Sequence, residues 1–214
     1  ASVELQLEEA RGTTTIVFTG DVGRRGAVLM PDPAPLPACD YLVCESTYGD
    51  RRHPAAAPAE ALARVVREAH QRGGMLLLPA FAVGRTQELL YVLRELEAAG
   101  EIPVLDVFVD SPMALDATAL MLAHRDELDA ETAAVMARGE GPLAPRRVHF
   151  VRDAAQSRAL NQLAGPGIII SASGMCTGGR IKHHLRNRLP DSRDTVCFVG
   201  FQAAGTRGRA LQDG

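Results

Sequence analysis

Residues 75–98 read MLLLPAFAVGRTQELLYVLRELEA. The run Met75–Leu78 is apolar without interruption and too short for a helix, which predicts a strand buried on both faces. From Thr86 the period changes. Leu89, Leu90, Leu93 and Leu96 fall on one side of a 3.6-residue repeat, which predicts a helix over 86–98. Working outward, short apolar runs predict further strands over Val104–Val109, Val148–Val151, Gly167–Ser171 and Thr195–Val199. Helical patterns lie over Pro58–Gln71, closed by Gly73, and over Pro112–Ala123, Asp129–Arg138, Asp153–Leu163 and Gly179–Leu189. Asp129 and Asp153 stand where side-chain caps are expected. The alternation implies an α/β fold with a mostly parallel, helix-covered sheet.

The first 50 residues differ. Ser2–Leu7 alternates and is expected to pair with a strand near Thr14–Thr19, and Tyr41–Glu45 predicts another strand. Prolines at 31, 33, 35 and 37 exclude a helix between them. A junction is placed near Gly49–Pro54, separating a β-rich piece, 1–49, from an α/β domain, 50–214.

Of the 214 residues 46% are hydrophobic but only 4% aromatic, with no Trp, so the core must be built from Ala, Val, Leu and Ile. Net charge is −3 and the pI about 6.1. That argues against a broadly basic surface while leaving room for a local positive cleft. Cys39, Cys44, Cys176 and Cys197 form no C-x-x-C pair, which predicts a reducing, cytoplasmic setting. No apolar run approaches the roughly 20 residues of a membrane helix. The opening ASVELQLEEA is neither a signal peptide nor a start methionine, and reads as a processed or excised chain.

Candidate chemistry sits at strand ends. Asp21 follows the strand TIVFT between Gly20 and Gly23, where a carboxylate can reach a metal or substrate; the plainer reading is a turn aspartate. GDVGRRG is not a dinucleotide loop, because the proline-rich segment after it cannot supply the helix that receives a pyrophosphate. Glu45 ends a nearly continuous apolar strand, so it is expected to be partly shielded and partnered, or else to belong to a turn. Arg85 sits at the sheet's C-terminal edge, suited to a phosphate or to a bridge with a nearby acid. The loop SASGMCTGGR, with Ser173, Gly174, Thr177, Gly178, Gly179 and Arg180, offers donors and helix-end amides to an anion; alternatively its glycines serve a tight turn. The tail 200–208 is either another wall of that crevice or a simple loop. The six histidines form no chelating pattern, and nearly all are assigned surface or helix-end roles, with His53 near the junction a candidate for the crevice.

Taken in order, GDVGRRG, LVCESTYGDRRH, LLLPAFAVGRTQELLYVL, VFVDSPMA, ISASGMCTGGRIKHHLRNRLPD and TVCFVGFQAAGTRGRALQDG resemble the β-CASP branch of the metallo-β-lactamase superfamily. These are RNA-processing nucleases. The resemblance implies a metallo-β-lactamase sandwich carrying two zinc ions, a β-CASP domain inserted as a lid, RNA in the crevice between, and hydrolysis of a phosphodiester by a metal-bridged hydroxide. It implies that Asp21 bridges the metals and that Glu45 orients a histidine near the scissile phosphate. It also implies that Arg85 and the Ser173–Arg180 loop meet the RNA backbone. The family's H-x-H-x-D-H cluster and a further ligand histidine are expected before residue 1, and two later histidines after Gly214. Of the zinc ligands only Asp21 is then present, and the chain is expected to be inactive alone. The rival readings are a non-catalytic RNA- or protein-binding module, and a nucleotide-binding α/β domain using the Gly174–Arg180 loop. The assembly implied is a homodimer or a larger processing complex.

Overall fold

The computed structural model describes residues 2–10, 12–50, 52 and 57–214; His53 and part of the expected junction lie outside them. A small mixed sheet comes first. Strand β1 (Val3–Glu9) pairs antiparallel with β2 (Gly12–Phe18) in the register Val3↔Phe18, and β2 pairs in parallel with β3 (Tyr41–Val43). Between β2 and β3 no helix forms. Leu29 of this connection is buried in the core of the second sheet, and its carbonyl accepts the Asp129 amide at 3.0 Å.

The second sheet is five-stranded and parallel. Its strands are β4 (Met75–Pro79), β5 (Asp106–Asp110), β6 (Val148–Phe150), β7 (Gly167–Ser171) and β8 (Thr195–Val196), in the order β6-β5-β7-β4-β8. Side chains alternate across the strands. Leu76, Leu78, Val107, Val109, Ile168 and Ile170 enter one core with helices α1 (Pro58–Arg72), α2 (Arg85–Ala98) and α3 (Pro112–Ala123). Met75, Leu77 and Ile169 enter the other, with Leu160 of α5 (Ala154–Leu160) and Ile181 and Leu185 of α6 (Ile181–Arg188). Each such leucine or isoleucine contributes about 1.5–3 kcal/mol when fully buried.

Capping follows sequence chemistry. Gly73 ends α1 at φ 69°, and Asp129 and Asp153 accept amides at the starts of α4 (Ala130–Ala137) and α5. Helix α5 stops short of the predicted Leu163: the amides of Asn161, Gln162 and Leu163 bond three residues back, tightening the last turn, and the Arg188 guanidinium donates to the carbonyls of Leu160 and Leu163, at 2.5 and 3.0 Å. A last helix, α7 (Arg207–Asp213), follows the tail loop, and its cap is Thr206.

Candidate functional site

Strands β5 and β7 are neighbours, yet the helices that follow them, α3 and α6, cover opposite faces of the sheet. That divergence opens a crevice at the strands' C-terminal ends, where open α/β sheets place their ligands. Three segments meet there: Pro79–Arg85, Asp110–Ser111 and the glycine-rich loop 172–180.

At the base of the crevice lies a polar cluster that sequence patterns missed. Asp110 ends β5 and is wholly buried. Its Oδ1 accepts from Arg180 Nη1 at 2.7 Å. Its Oδ2 accepts from the Ser157 hydroxyl and faces His184 Nε2, both at 2.6 Å. His184 Nδ1 lies 3.0 Å from Asn161 Oδ1. Burial raises the Asp110 carboxyl's pKa, but the donors His184, Ser157 and Arg180 outweigh it and hold the pKa below the usual value. The serine bonds to the aspartate and not to the histidine, so this is not the relay that activates a nucleophile. The cluster ties β5 to α5 and α6.

His184 therefore corrects the expectation of a surface or helix-end role: it is 0% exposed. On α6, Ile181, His184, Leu185 and Arg188 form the inward stripe, while the adjacent His183 faces out. The available signal was an aspartate ending an apolar strand, DVFVD, which burial obliges to find partners.

The glycine-rich loop is held from within. The Ser173 hydroxyl accepts the Gly178 amide at 3.1 Å, Cys176 N–H donates to the Ser173 carbonyl at 3.1 Å, and Ile181 N–H donates to Ala172 O at 3.2 Å. Gly179 adopts φ 69°, and a Cβ there would sit 2.1 Å from the Ala172 carbonyl oxygen. Gly174 is buried, while Thr177 and Gly179 are exposed. Arg180, expected to reach outward for phosphate, is committed inward to Asp110 and to the carbonyls of Val151 and Arg152. The tail packs on this loop: Gln202 Nε2 donates to Gly174 O at 3.0 Å, and Gly208 N–H donates to Met175 O at 3.0 Å. Burial raises the Cys176 thiol's pKa, partly offset by Arg207.

The other expected site residues lie apart from this loop. Arg85 pairs with Glu88 at 2.5 Å and lines a cavity with Arg24 and Arg64. Glu45 is exposed, correcting the expectation that it is shielded: β3 is an edge strand whose own side chains are exposed. Among the described residues the Glu45 carboxylate accepts only the amide of Thr47, at 3.0 Å, as a turn acid does. Asp21 is exposed, with no hydrogen bond among the described residues. Among those residues no three His, Cys, Asp or Glu side chains converge as a metal site requires. Zinc sites take three or four protein ligands, so the residues described do not by themselves fit zinc. No helix of the described residues is long and apolar enough to cross a membrane.

Fold and site thus define an α/β domain with a parallel sheet and ligand-type loops at its C-terminal edge. A model of the Beta-Casp domain matches residues 86–211, more than half of the chain, and the chain belongs to the β-CASP family. It is 36% identical over 198 residues to Ribonuclease TTHA0252 of Thermus thermophilus, covering 92% of this chain and 46% of that protein. It is 35% identical to the Transcription termination factor FttA of Methanosarcina mazei, over 95% of this chain and 32% of the relative. It is likewise 35% identical to FttA of Methanocaldococcus jannaschii, over 97% and 33%. The chain thus spans less than half the length of these curated relatives.

Proposed function

We propose that this chain is the RNA-facing part of a zinc-dependent ribonuclease that hydrolyses RNA phosphodiester bonds. Residues 50–214 form its β-CASP domain and residues 1–49 a portion of its metallo-β-lactamase domain. The observation that carries the reading is the 36% identity, across nearly the whole chain, to a protein named a ribonuclease. The archaeal termination factors point to the same field, the handling of RNA as it is made or processed. In this reading Asp21 is the one metal ligand the chain contributes, and other parts of the whole protein supply the rest. Glu45 serves the same centre. The exposed amides and the Thr177 hydroxyl of the 173–180 loop face the strand's phosphates, while Arg180 positions that loop from beneath. The chain alone binds RNA and does not cut it.

The test has two arms. The 214-residue chain, titrated with a fluorescent single-stranded oligoribonucleotide, is expected to bind with an affinity that falls as salt rises. No binding at low salt would remove RNA as the partner, and stoichiometric zinc in the chain alone would contradict the assignment of its ligands elsewhere. In the longer ribonuclease, Asp21→Ala is expected to abolish cleavage and leave the melting temperature in place. Normal cleavage by that variant would withdraw Asp21 from the centre.

A further inference from the structure

We infer that the cavity beside Arg85 is a nucleotide subsite, taking an aromatic base on its floor and a phosphate at its mouth. It encloses about 520 Å³, within the range of small-molecule sites. Its walls come from the loop at 24–28, the first turns of α1 and α2, and the residues after β8. Leu62, Val65, Leu89 and Phe198 are part of its apolar lining, which serves as the floor of the proposed subsite. The loop wall is fixed, since Gly26 N–H donates to Asp32 Oδ1 at 2.7 Å and Leu29 is anchored in the core.

Around the apolar floor stand Arg24, Arg64 and Arg85. Of these only Arg85 has an acid, Glu88; Arg24 and Arg64 make no ion pair among the described residues. In a chain of net charge −3 this is a local excess of guanidinium. Glu88 also lines the cavity and balances Arg85, so a purely apolar occupant would desolvate Arg24 and Arg64 without a counter-charge, and a bare phosphate chain would leave the apolar lining wet. A nucleotide answers both, because guanidinium forks suit phosphate oxygens and the base supplies an apolar face. The inference deepens the ribonuclease reading by naming the unit of substrate, and rests on it for the choice of nucleotide among aromatic anions.

The 214-residue chain is titrated by calorimetry with AMP, adenosine and inorganic phosphate, and separately with an acidic leucine-containing peptide. AMP is expected to bind one to one, at least tenfold more tightly than adenosine or phosphate. Arg64→Glu, on the exposed side of α1, is expected to weaken AMP at least tenfold at unchanged melting temperature. Arg24→Glu supplies the same reading from the loop. Absence of AMP binding, equal affinity for phosphate, or wild-type affinity in both variants would each overturn the subsite. Tighter binding of the peptide would reassign the cavity to a protein partner. If the chain binds RNA but not AMP, the subsite fails and the ribonuclease reading stands. If it binds AMP but not RNA, the reverse holds.

Discussion

Asp110 concentrates the energetics of the crevice in one side chain. Its carboxylate has no contact with water and three polar partners, so removing the charge leaves Arg180 and His184 facing a neutral amide in a buried site. Asp110→Asn is expected to cost about 3–5 kcal/mol, the range for breaking a buried pair from one side. The pH dependence follows from the lowered pKa. The native state binds this proton less readily than the unfolded chain, so the contribution is whole above about pH 4, the ordinary value of an aspartate. It is lost as pH falls through the lower native value. Urea unfolding of wild type and variant should therefore differ most at neutral pH and converge in acid; a gap independent of pH would refute the account. Sequence placed Asp21, Glu45, Arg85 and Arg180 at strand ends because those ends are marked locally by apolar runs and glycines. It did not give the partner that turns Arg180 inward, Asp110, which lies 70 residues earlier. His184 was misjudged for the same reason: the aspartate that buries it lies 74 residues earlier.

Elements were legible where local chemistry decides them. Gly73, Asp129, Asp153 and Pro112 each mark a helix end in the sequence and in the structure, because caps act over one turn. Helix α7 was hidden, since RGRALQD is short and its start depends on Thr206 being presented by the packed tail. The glycine-rich loop shows how far local reading extends. Three of its residues are glycines, and pattern alone cannot separate those needed for sterics from those leaving space for a ligand. Structure separates them. Gly179→Ala forces a left-handed residue, about 1–2 kcal/mol, and a backbone clash of about 1–3 kcal/mol more. Gly178 has open space where its Cβ would stand, so Gly178→Ala is expected to stay within about 0.5 kcal/mol of wild type. Thermal melts of the two variants test the distinction directly; equal destabilisation would show that the turn, not its packing, sets the cost.

At the scale of the molecule the two sheets are unequally protected. Every residue of β4 and β7 is buried, whereas all of β1 and β3 is exposed and only Val17 of the small sheet's strands is fully buried. Register places Val3, Leu5, Phe18, Tyr41 and Val43 on one side of the small sheet, an apolar face left open to solvent. A sheet with one uncovered face opens locally at far less than the global unfolding free energy. Backbone amides of 3–18 are therefore expected to exchange with deuterium on the order of 100-fold faster than those of 75–79 and 167–171, a gap equivalent to about 3 kcal/mol of opening free energy. Mass spectrometry of peptic peptides reads this without site-specific labels. Equal protection would mean that the small sheet is stabilised by the parallel one to a degree its burial does not account for. The same measurement bears on the proposed domain division. If, as proposed, residues 1–49 belong to the metallo-β-lactamase sandwich of a longer protein, a second layer covers that apolar face there. The 3–18 peptides must then gain protection there, while 75–79 and 167–171, already buried on both faces, change little.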